Sequence, residues 1–342
     1  MHHIHRQSLR RCDVLLRSEY GLYQYKKYTD VRLVFAPEFS IAQFGGDPDN
    51  FTYPRYCLDF SLFRAYENGE PVKSADYLRW SHDGVKDGEL TFVSGNPGST
   101  GRLQTVAQMQ FSRDLSYPML LRMLKDDIDE LLAFGAQSAE NKRVAEDDLD
   151  SNQNSFKALT GFEQGLKDPK LMSRKQDEER KLRAAIDDDP AKKKKYGKLW
   201  DEIAAAYQEY TGFYKPNFLL DAAPNRVDLL ALARNVVRYA EETHKPNEQR
   251  LREYQDAGLP SLEQQIYSAA PLSIPLEERK LATLFHVQQR ELGADNPTVK
   301  AILAGRTPEE AARRPLALYP GIIEEVKRYV YLPDKADQLG TQ

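Results

Sequence analysis

The residues with the most chemistry in them lie close together, in Phe44-Gly45-Gly46-Asp47-Pro48-Asp49-Asn50-Phe51-Thr52-Tyr53-Pro54-Arg55, with Asp59 shortly after. Paired glycines let a backbone turn tightly, and Pro48 and Pro54 stiffen the loop beyond them. Acids, an amide and aromatic rings crowded into one such loop are costly to hold near a surface without a use. Asp59 stands at the mouth of an alternating, aromatic-rich segment from Phe60 to Tyr66 that reads as a strand. A carboxylate in that place can hold a catalytic histidine in the right tautomer and stabilise the imidazolium formed when a nucleophile attacks. Taken without its surroundings, such an acid is an ordinary solvated strand end.

Four short elements succeed one another in order here: Gly45-Gly46-Asp47, Asp49-Asn50-Phe51, Tyr53-Pro54-Arg55 and Asp59-Phe60-Ser61. Together they resemble the signature of the bacterial dipeptidyl-peptidases of the chymotrypsin-like serine exopeptidase family, the group that contains dipeptidyl-peptidases seven and eleven. The resemblance continues through Tyr28-Thr29-Asp30-Val31-Arg32-Leu33-Val34-Phe35-Ala36-Pro37-Glu38 and Val93-Ser94-Gly95-Asn96-Pro97-Gly98-Ser99-Thr100, and more weakly to about Arg313. It implies that Asp59 is the acid of a Ser-His-Asp triad. It also implies that Asn50 and Phe51 bind the free α-amino group of a peptide, the amide oxygen accepting from the ammonium while the ring walls off water. Many members carry tryptophan where this chain has Phe51. An amine clamped at a fixed distance from the nucleophile is how an exopeptidase counts two residues. The implied partner is therefore a peptide with a free N-terminus, and no cofactor or metal is implied.

The rest of a triad does not read out of the sequence. The family's histidine lies in a Thr-Asn-His-His-Cys-like step, and its serine in a Gly-Asn-Ser-Gly-Ser-Pro-like turn; neither occurs here. His2, His3 and His5 sit in an unpatterned start with no acid or cysteine beside them, and read as a tag-like tail rather than a metal site. His82 reads as an exposed turn residue, His244 as a helix end where a cation suits the dipole, and His286 as a packed helix residue on the apolar run Leu281 to Val287. Ser99 matches a family segment without a catalytic role. There is no Gly-x-Ser-x-Gly elbow and no Ser-x-x-Lys pair. One acid without histidine or serine cannot carry out acyl transfer, so the chain alone is expected to have no peptidase activity.

The elements that must position this loop fall into two textures. From about Tyr20 to Met109 the pattern is β-rich, with strands predicted over Val31–Ala36, Ser40–Phe44, Asp59–Tyr66, Tyr77–Trp80 and Glu89–Ser94. From about Phe111 to Tyr331 it is helical. Apolar stripes run through Leu120-Leu121-Leu124-Ile128-Leu131-Leu132, Leu199-Ile203-Ala206-Tyr210 and Val227-Leu230-Ala233-Val237-Tyr239, with prolines such as Pro190, Pro216, Pro224, Pro246, Pro260 and Pro275 between helices. The expected fold class is α+β: a partial chymotrypsin-like β-barrel followed by an inserted all-helical domain that roofs the cleft. The corresponding domains are an irregular segment 1–19, a partial first barrel 20–110, a helical domain 111–331 and a disordered tail 332–342.

Composition sets the outer bounds. The 342 residues permit two domains, and a charged fraction of 29% with a hydrophobic fraction of 41% describes a soluble chain able to form a core. A net charge of −4 gives no reason to expect nucleic-acid or membrane partners, and no apolar run is long enough for a membrane span. Cys12 and Cys57 are too few for a disulfide framework. Lys192-Lys193-Lys194-Lys195 comes after Asp187-Asp188-Asp189-Pro190 and reads as a helix start neutralised by acids rather than a nucleic-acid patch. The acid pairs Asp126-Asp127, Asp129-Glu130 and Asp147-Asp148 read as a solvated face, and Tyr196, Tyr207, Tyr210 and Tyr214 as packing rings. The family sets a helical-domain acid against the substrate amine, for which Asp168 is a candidate.

The resemblance implies a periplasmic or extracytoplasmic protein, yet Met1 to Leu16 has no uninterrupted apolar core of signal-peptide length, so a cytoplasmic location is expected for the chain as written. The match fades after Arg313, through Arg314-Pro315-Leu316-Ala317-Leu318-Tyr319-Pro320, as a frameshift or ordinary divergence would produce. Three readings stay open. The chain is a truncated dipeptidyl-peptidase, a non-catalytic protein that holds peptide amino termini, or one half of a split enzyme completed by a second-barrel chain. The resemblance also admits a homodimer. Half a barrel exposes strand edges and an uncovered apolar face, and invites aggregation unless a partner covers it.

Overall fold

A computed structural model describes residues 14–16, 19–21, 26–92, 101, 103–268 and 271–314. The chain divides into two compact units, Met1–Thr100 and Gly101–Gln342. The segments around His2, Cys12, Ser99 and Pro315, and the tail 332–342, lie outside the described residues.

In the first unit β1 (Val14–Leu16) pairs antiparallel with β2 (Glu19–Gly21), and β3 (Asp30–Phe35), β4 (Leu62–Glu67) and β5 (Glu70–Pro71) form an open antiparallel sheet in that order. Alternation in β3 and β4 sets the register. Val31 lies opposite Ala65 and Leu33 opposite Phe63 on one face, while Asp30 meets Tyr66 and Arg32 meets Arg64 on the other. A register shift between Leu33 and Phe35 brings Phe35 opposite Leu62, and its ring lies 5.4 Å from that of Phe60. Arg32 lies over the Tyr66 ring at 3.9 Å. None of the described residues 26–92 is buried, and Leu33 and Phe63 are 60% and 62% exposed, so this sheet has no core face of its own.

Three predicted strands, Ser40–Phe44, Tyr77–Trp80 and the described part of Glu89–Ser94, are corrected here. Phe39–Ala42 close a single helical turn, α1, in which the Ala42 amide donates to the Glu38 carbonyl at 2.9 Å. Residues 77–80 run without regular structure, and 89–92 likewise. A second single turn, α2 (Gly46–Asp49), comes after α1, and the ladder of β4 begins at Leu62, later than the predicted start at Asp59.

The second unit is helical from Val106 onward. Its elements are α3 (Val106–Phe111), α4 (Tyr117–Gly135), α5 (Ala139–Lys167), α6 (Pro169–Asp187), α7 (Pro190–Tyr196), α8 (Leu199–Asn217), α9 (Asp228–Glu242), α10 (Leu259–Ile266), α11 (Ile274–Leu292) and α12 (Pro297–Leu303). Side-chain caps explain several starts. Thr105 and Gln108 form a reciprocal box at α3, Ser138 accepts from the Asn141 amide at α5, Asp168 from Lys170 at α6, and Asp189 from Ala191 and Lys192 at α7. Two π-turns, Ser112–Ser116 and Phe218–Ala222, each precede a proline by two residues, Pro118 and Pro224. A proline ring clashes with the carbonyl four residues back, and the widened turn makes room for it. Pro216 lies inside the last turn of α8 rather than between helices.

The core gathers Met119 and Met123 of α4, Tyr214 of α8, Leu219, Val227, and Leu281, Phe285 and Val287 of α11. The stripe read on α4 is buried at Leu124, Ile128 and Leu131, whereas Leu132 is half exposed and Met119, Met123 and Phe134 take the remaining places. On α8 the inward line runs through the half-buried Tyr207 and Tyr210 and the buried Tyr214 around Phe111, whose ring lies within 5.0–5.3 Å of all three, and Ala206 is exposed. On α9, Ala233 and Val237 are exposed as well.

Of the acids expected on a solvated face, Asp129 and Asp147 are exposed, whereas Asp126, Glu130 and Asp148 staple α11 to its neighbours. Arg290 pairs with Asp126 at 2.7 Å, Arg279 with Glu130 at 3.3 Å, and Lys280 with Asp148 at 2.9 Å, Asp228 at 2.8 Å and Glu277 at 3.0 Å. No helix among the described residues is long and apolar enough to cross a membrane.

Candidate functional site

The loop from Phe44 to Leu58 is ordered by its own backbone. Gly45 takes φ +83°, and a Cβ there would stand 1.9 Å from Asp49 Oδ2; Gly46 comes next at φ +58°. The first glycine therefore serves both the left-handed turn and the close seat of the Asp49 carboxylate. After the turn of α2, the Asn50 amide donates to the Asp47 carbonyl at 3.0 Å and the Thr52 amide to Asp49 at 3.0 Å. Phe51, between them, sits at φ +63° with its side chain 66% exposed. The Tyr53–Pro54 peptide is cis. The chain then returns, with the Leu58 amide donating to the Ile41 carbonyl of α1 at 3.1 Å.

The predicted site residues occupy one connection of the first unit, between α1 and β4. Asn50 is half-buried, and its Oδ1 accepts from Arg55 Nη1 at 2.9 Å. Asp59 is exposed and, among the described residues, its carboxylate makes no hydrogen bond or ion pair. An acid orients an imidazole only by bonding to it. Arg55 is the residue that sequence reasoning left without a role. Its place in Tyr53-Pro54-Arg55 marked it, but nothing local announced a bond to a side chain five positions back.

Elsewhere the candidates resolve into structure. Asp168 caps α6, accepting from the Lys170 amide at 2.8 Å. His82 is exposed in a bend. His244 Nδ1 lies 2.5 Å from the Ala240 carbonyl at the end of α9. His286, expected to be packed, is 53% exposed and faces Glu309 at 2.7 Å. Cys57 is a half-buried free thiol. Asp189 and Asp187 pair with Lys192 and Lys193 at 3.1 and 3.5 Å. A cavity of about 270 Å³ in the second unit is lined by Asp127, Asp148, Asn152, Arg226 and Lys280, but its charges close on one another, Arg226 on Asp127 and Lys280 on Asp148. Burial lifts the Asp127 carboxyl above its ordinary range, and Arg226 opposes that only in part. No group of three or more His, Cys, Asp or Glu among the described residues is arranged to hold a metal ion.

The fold is a mixed, mainly helical one with a small open sheet. It matches the crystal structure of Porphyromonas endodontalis DPP11 in complex with the dipeptide Arg-Glu at a TM-score of 0.60 and 21% identity, over 84% of this chain and 43% of that one. Residues 5–322 match the Peptidase S46 family model, and the chain belongs to that family. It is 31% identical over 252 residues to the Asp/Glu-specific dipeptidyl-peptidase of Shewanella putrefaciens, covering 70% of this chain and 34% of the relative. It is 29% identical to dipeptidyl-peptidase 7 of Porphyromonas endodontalis, covering 64% of this chain and 28% of the relative. The chain thus spans about a third of the length of the curated relatives it matches.

Proposed function

We propose that this chain carries the amine-holding loop and the triad acid of a serine-type dipeptidyl aminopeptidase, an exopeptidase that releases dipeptides from peptide N-termini. Asn50 accepts from the substrate ammonium, Phe51 shields it from water, and Asp59 is the carboxylate that orients a histidine. The observation that carries the reading is the turn from Gly45 to Arg55. Its left-handed glycine, seated Asp49 and bonded Asn50 fix an amide within a loop whose residue order matches the family signature. The first unit belongs, in this reading, to a chymotrypsin-like barrel, and the second to the all-helical domain that the family inserts.

The histidine and serine steps of the signature have no counterpart in these residues. The 342-residue chain alone therefore binds peptide amino termini without cleaving them, and hydrolysis needs the triad partners supplied from elsewhere, as in a split enzyme. Hydrolysis of a panel of dipeptidyl fluorogenic substrates, with a serine-reactive probe alongside, tests this. The expected result is neither turnover nor labelling, together with binding of a free-amine peptide. Turnover abolished by Asp59→Ala would show a complete triad and overturn the inactive reading.

A further inference from the structure

Packed helices leave few voids larger than a water molecule, so the cavity of about 270 Å³ in the second unit is unusual. That volume lies at the small end of ligand pockets, roughly 300–1,000 Å³, and suits a dipeptide rather than a longer peptide. Its floor is apolar and buried, made by Met123 and Leu131 of α4 and by Leu276 and Leu284 of α11. Its rim carries both signs of charge. On α11 the residues Leu276, Arg279, Lys280 and Thr283 share one face, so a single helix contributes to floor and rim together.

The rim pairs are of a kind that exchange partners. Arg279 lies 3.3 Å from Glu130, with the two side chains 47% and 32% exposed, and an ion pair so wetted contributes little. A ligand carboxylate can take the same guanidinium in two parallel hydrogen bonds and so displace Glu130. The Lys280 ammonium is shared among Asp148 at 2.9 Å, Asp228 at 2.8 Å and Glu277 at 3.0 Å, which leaves negative charge in excess. Asp228 is the most open of these acids. Burial holds the Asp127 and Glu277 carboxyls above their ordinary range, so an added ammonium would meet charge that it stabilises.

We propose that this cavity binds a small zwitterion of dipeptide size, with its carboxylate on Arg279, its ammonium on Asp228 and an apolar side chain on the floor of Met123, Leu131, Leu276 and Leu284. Acids and cations around one apolar floor match such a ligand at both ends, where a simple anion or cation would use only half of the rim. The site stands on the second unit alone. The function proposed above supplies a source for the ligand, because an exopeptidase of that class releases dipeptides.

The test titrates the dipeptide Ala-Leu into the full chain carrying labelled methionine methyl groups. The Met123 signal, assigned by its loss in Met123→Leu, should shift saturably, while that of Met172, which does not line the cavity, stays in place. N-acetyl-Ala-Leu and Ala-Leu amide each lack one charge and should bind roughly tenfold or more weakly, the scale of a hydrogen bond to a charged group. Arg279→Gln should weaken Ala-Leu by a similar factor and leave the amide unaffected, and Arg279→Lys should recover part of the loss. Asp228→Asn should weaken Ala-Leu and leave the acetylated form unaffected; it decides the matter should Arg279→Gln not fold. Absence of a Met123 shift, or equal affinity for Ala-Leu and both blocked forms, overturns the site. Leucine binding as tightly as Ala-Leu overturns the dipeptide assignment. Asn50→Ala removes the amide proposed to hold a peptide amine in the first unit, and the Met123 response should survive it. A response lost in Asn50→Ala overturns the site, whereas failure of the first-unit loop to bind peptide overturns only the function proposed above.

Discussion

Glu277 of α11 accepts a hydrogen bond from the Leu229 backbone amide of α9 at 2.7 Å, with its carboxylate only 2% exposed. The residue at the N-cap of α9 is Val227, which has no side-chain acceptor, so a neighbouring helix supplies the cap. Burial lifts the Glu277 carboxyl above its ordinary value, and Lys280 opposes that lift. A carboxyl raised on folding binds its proton more tightly in the folded state, so stability falls as pH rises from the unfolded value near 4.5 through the folded one. Glu277→Gln keeps an acceptor for Leu229 and removes the charge. It should lie within about 1 kcal/mol of wild type at neutral pH and lose that downward slope. Glu277→Ala orphans the amide and should cost about 1–3 kcal/mol throughout. Urea midpoints at about pH 4.5 and pH 7 for the three proteins check this.

The second prediction runs the other way with pH. The hydrogen bond from His286 holds the Glu309 carboxyl down at about 2. A depressed carboxyl adds stability that is present above the unfolded value of 4.5 and is lost as pH falls toward 2. Both side chains are about half exposed, so solvent screening keeps the contribution to a fraction of ~1 kcal/mol. Glu309→Gln should therefore melt slightly below wild type at about pH 6, and the difference should vanish by about pH 2.5. A difference that grows in acid would contradict the pairing.

These two residues also mark what the sequence could not display. The phase of a helix is legible locally, and it places Leu124, Ile128 and Leu131 on the buried face of α4. His286 lies inside an apolar run, yet it turns outward to an acid 23 positions further on, a partner no local pattern contains. The same holds for Arg290 with Asp126 and Lys280 with Asp148, whose acids look solvated in sequence because their cations lie on a distant helix. In the first unit the alternation of Val31, Leu33 and Phe63 identifies β3 and β4. Phe39–Ala42 mimics that alternation over four residues, too few to separate a strand from one helical turn. At the candidate site the loop and its glycines are legible from residue type. The bond from Arg55 to Asn50 is not, because its spacing matches neither the helical nor the strand period.

Gly45 and Gly69 separate conformation from contact in the third prediction. Both have a positive φ, +83° and +82°, but a Cβ at Gly45 would collide with Asp49 while one at Gly69 meets nothing within 4 Å. Gly69→Ala pays only the left-handed backbone, about 1 kcal/mol. Gly45→Ala must also displace the Asp49 carboxylate and with it the turn that presents Asn50. Binding of the free-amine peptide should fall at least ~10-fold in Gly45→Ala and be unchanged in Gly69→Ala. Equal affinities for the two variants would detach the glycine turn from peptide binding.

Phe51 gives the last prediction, because its backbone and its ring pull in opposite directions. A bulky residue at φ +63° costs about 1 kcal/mol, and with 66% of the side chain exposed little burial offsets it. Stability alone would place glycine there; in the proposed function the ring has its use against a bound peptide. Phe51→Gly should stabilise the loop locally by about 0.5–1 kcal/mol, read as slower backbone amide exchange, while weakening the free-amine peptide several-fold. Phe51→Ala keeps the strained backbone and loses the ring, so it should weaken binding equally with no gain in stability. The pair of variants thus assigns the affinity to the ring and the strain to the backbone. A Phe51→Gly protein that binds as tightly as wild type would remove Phe51 from the site and leave Asn50 to hold the amine alone.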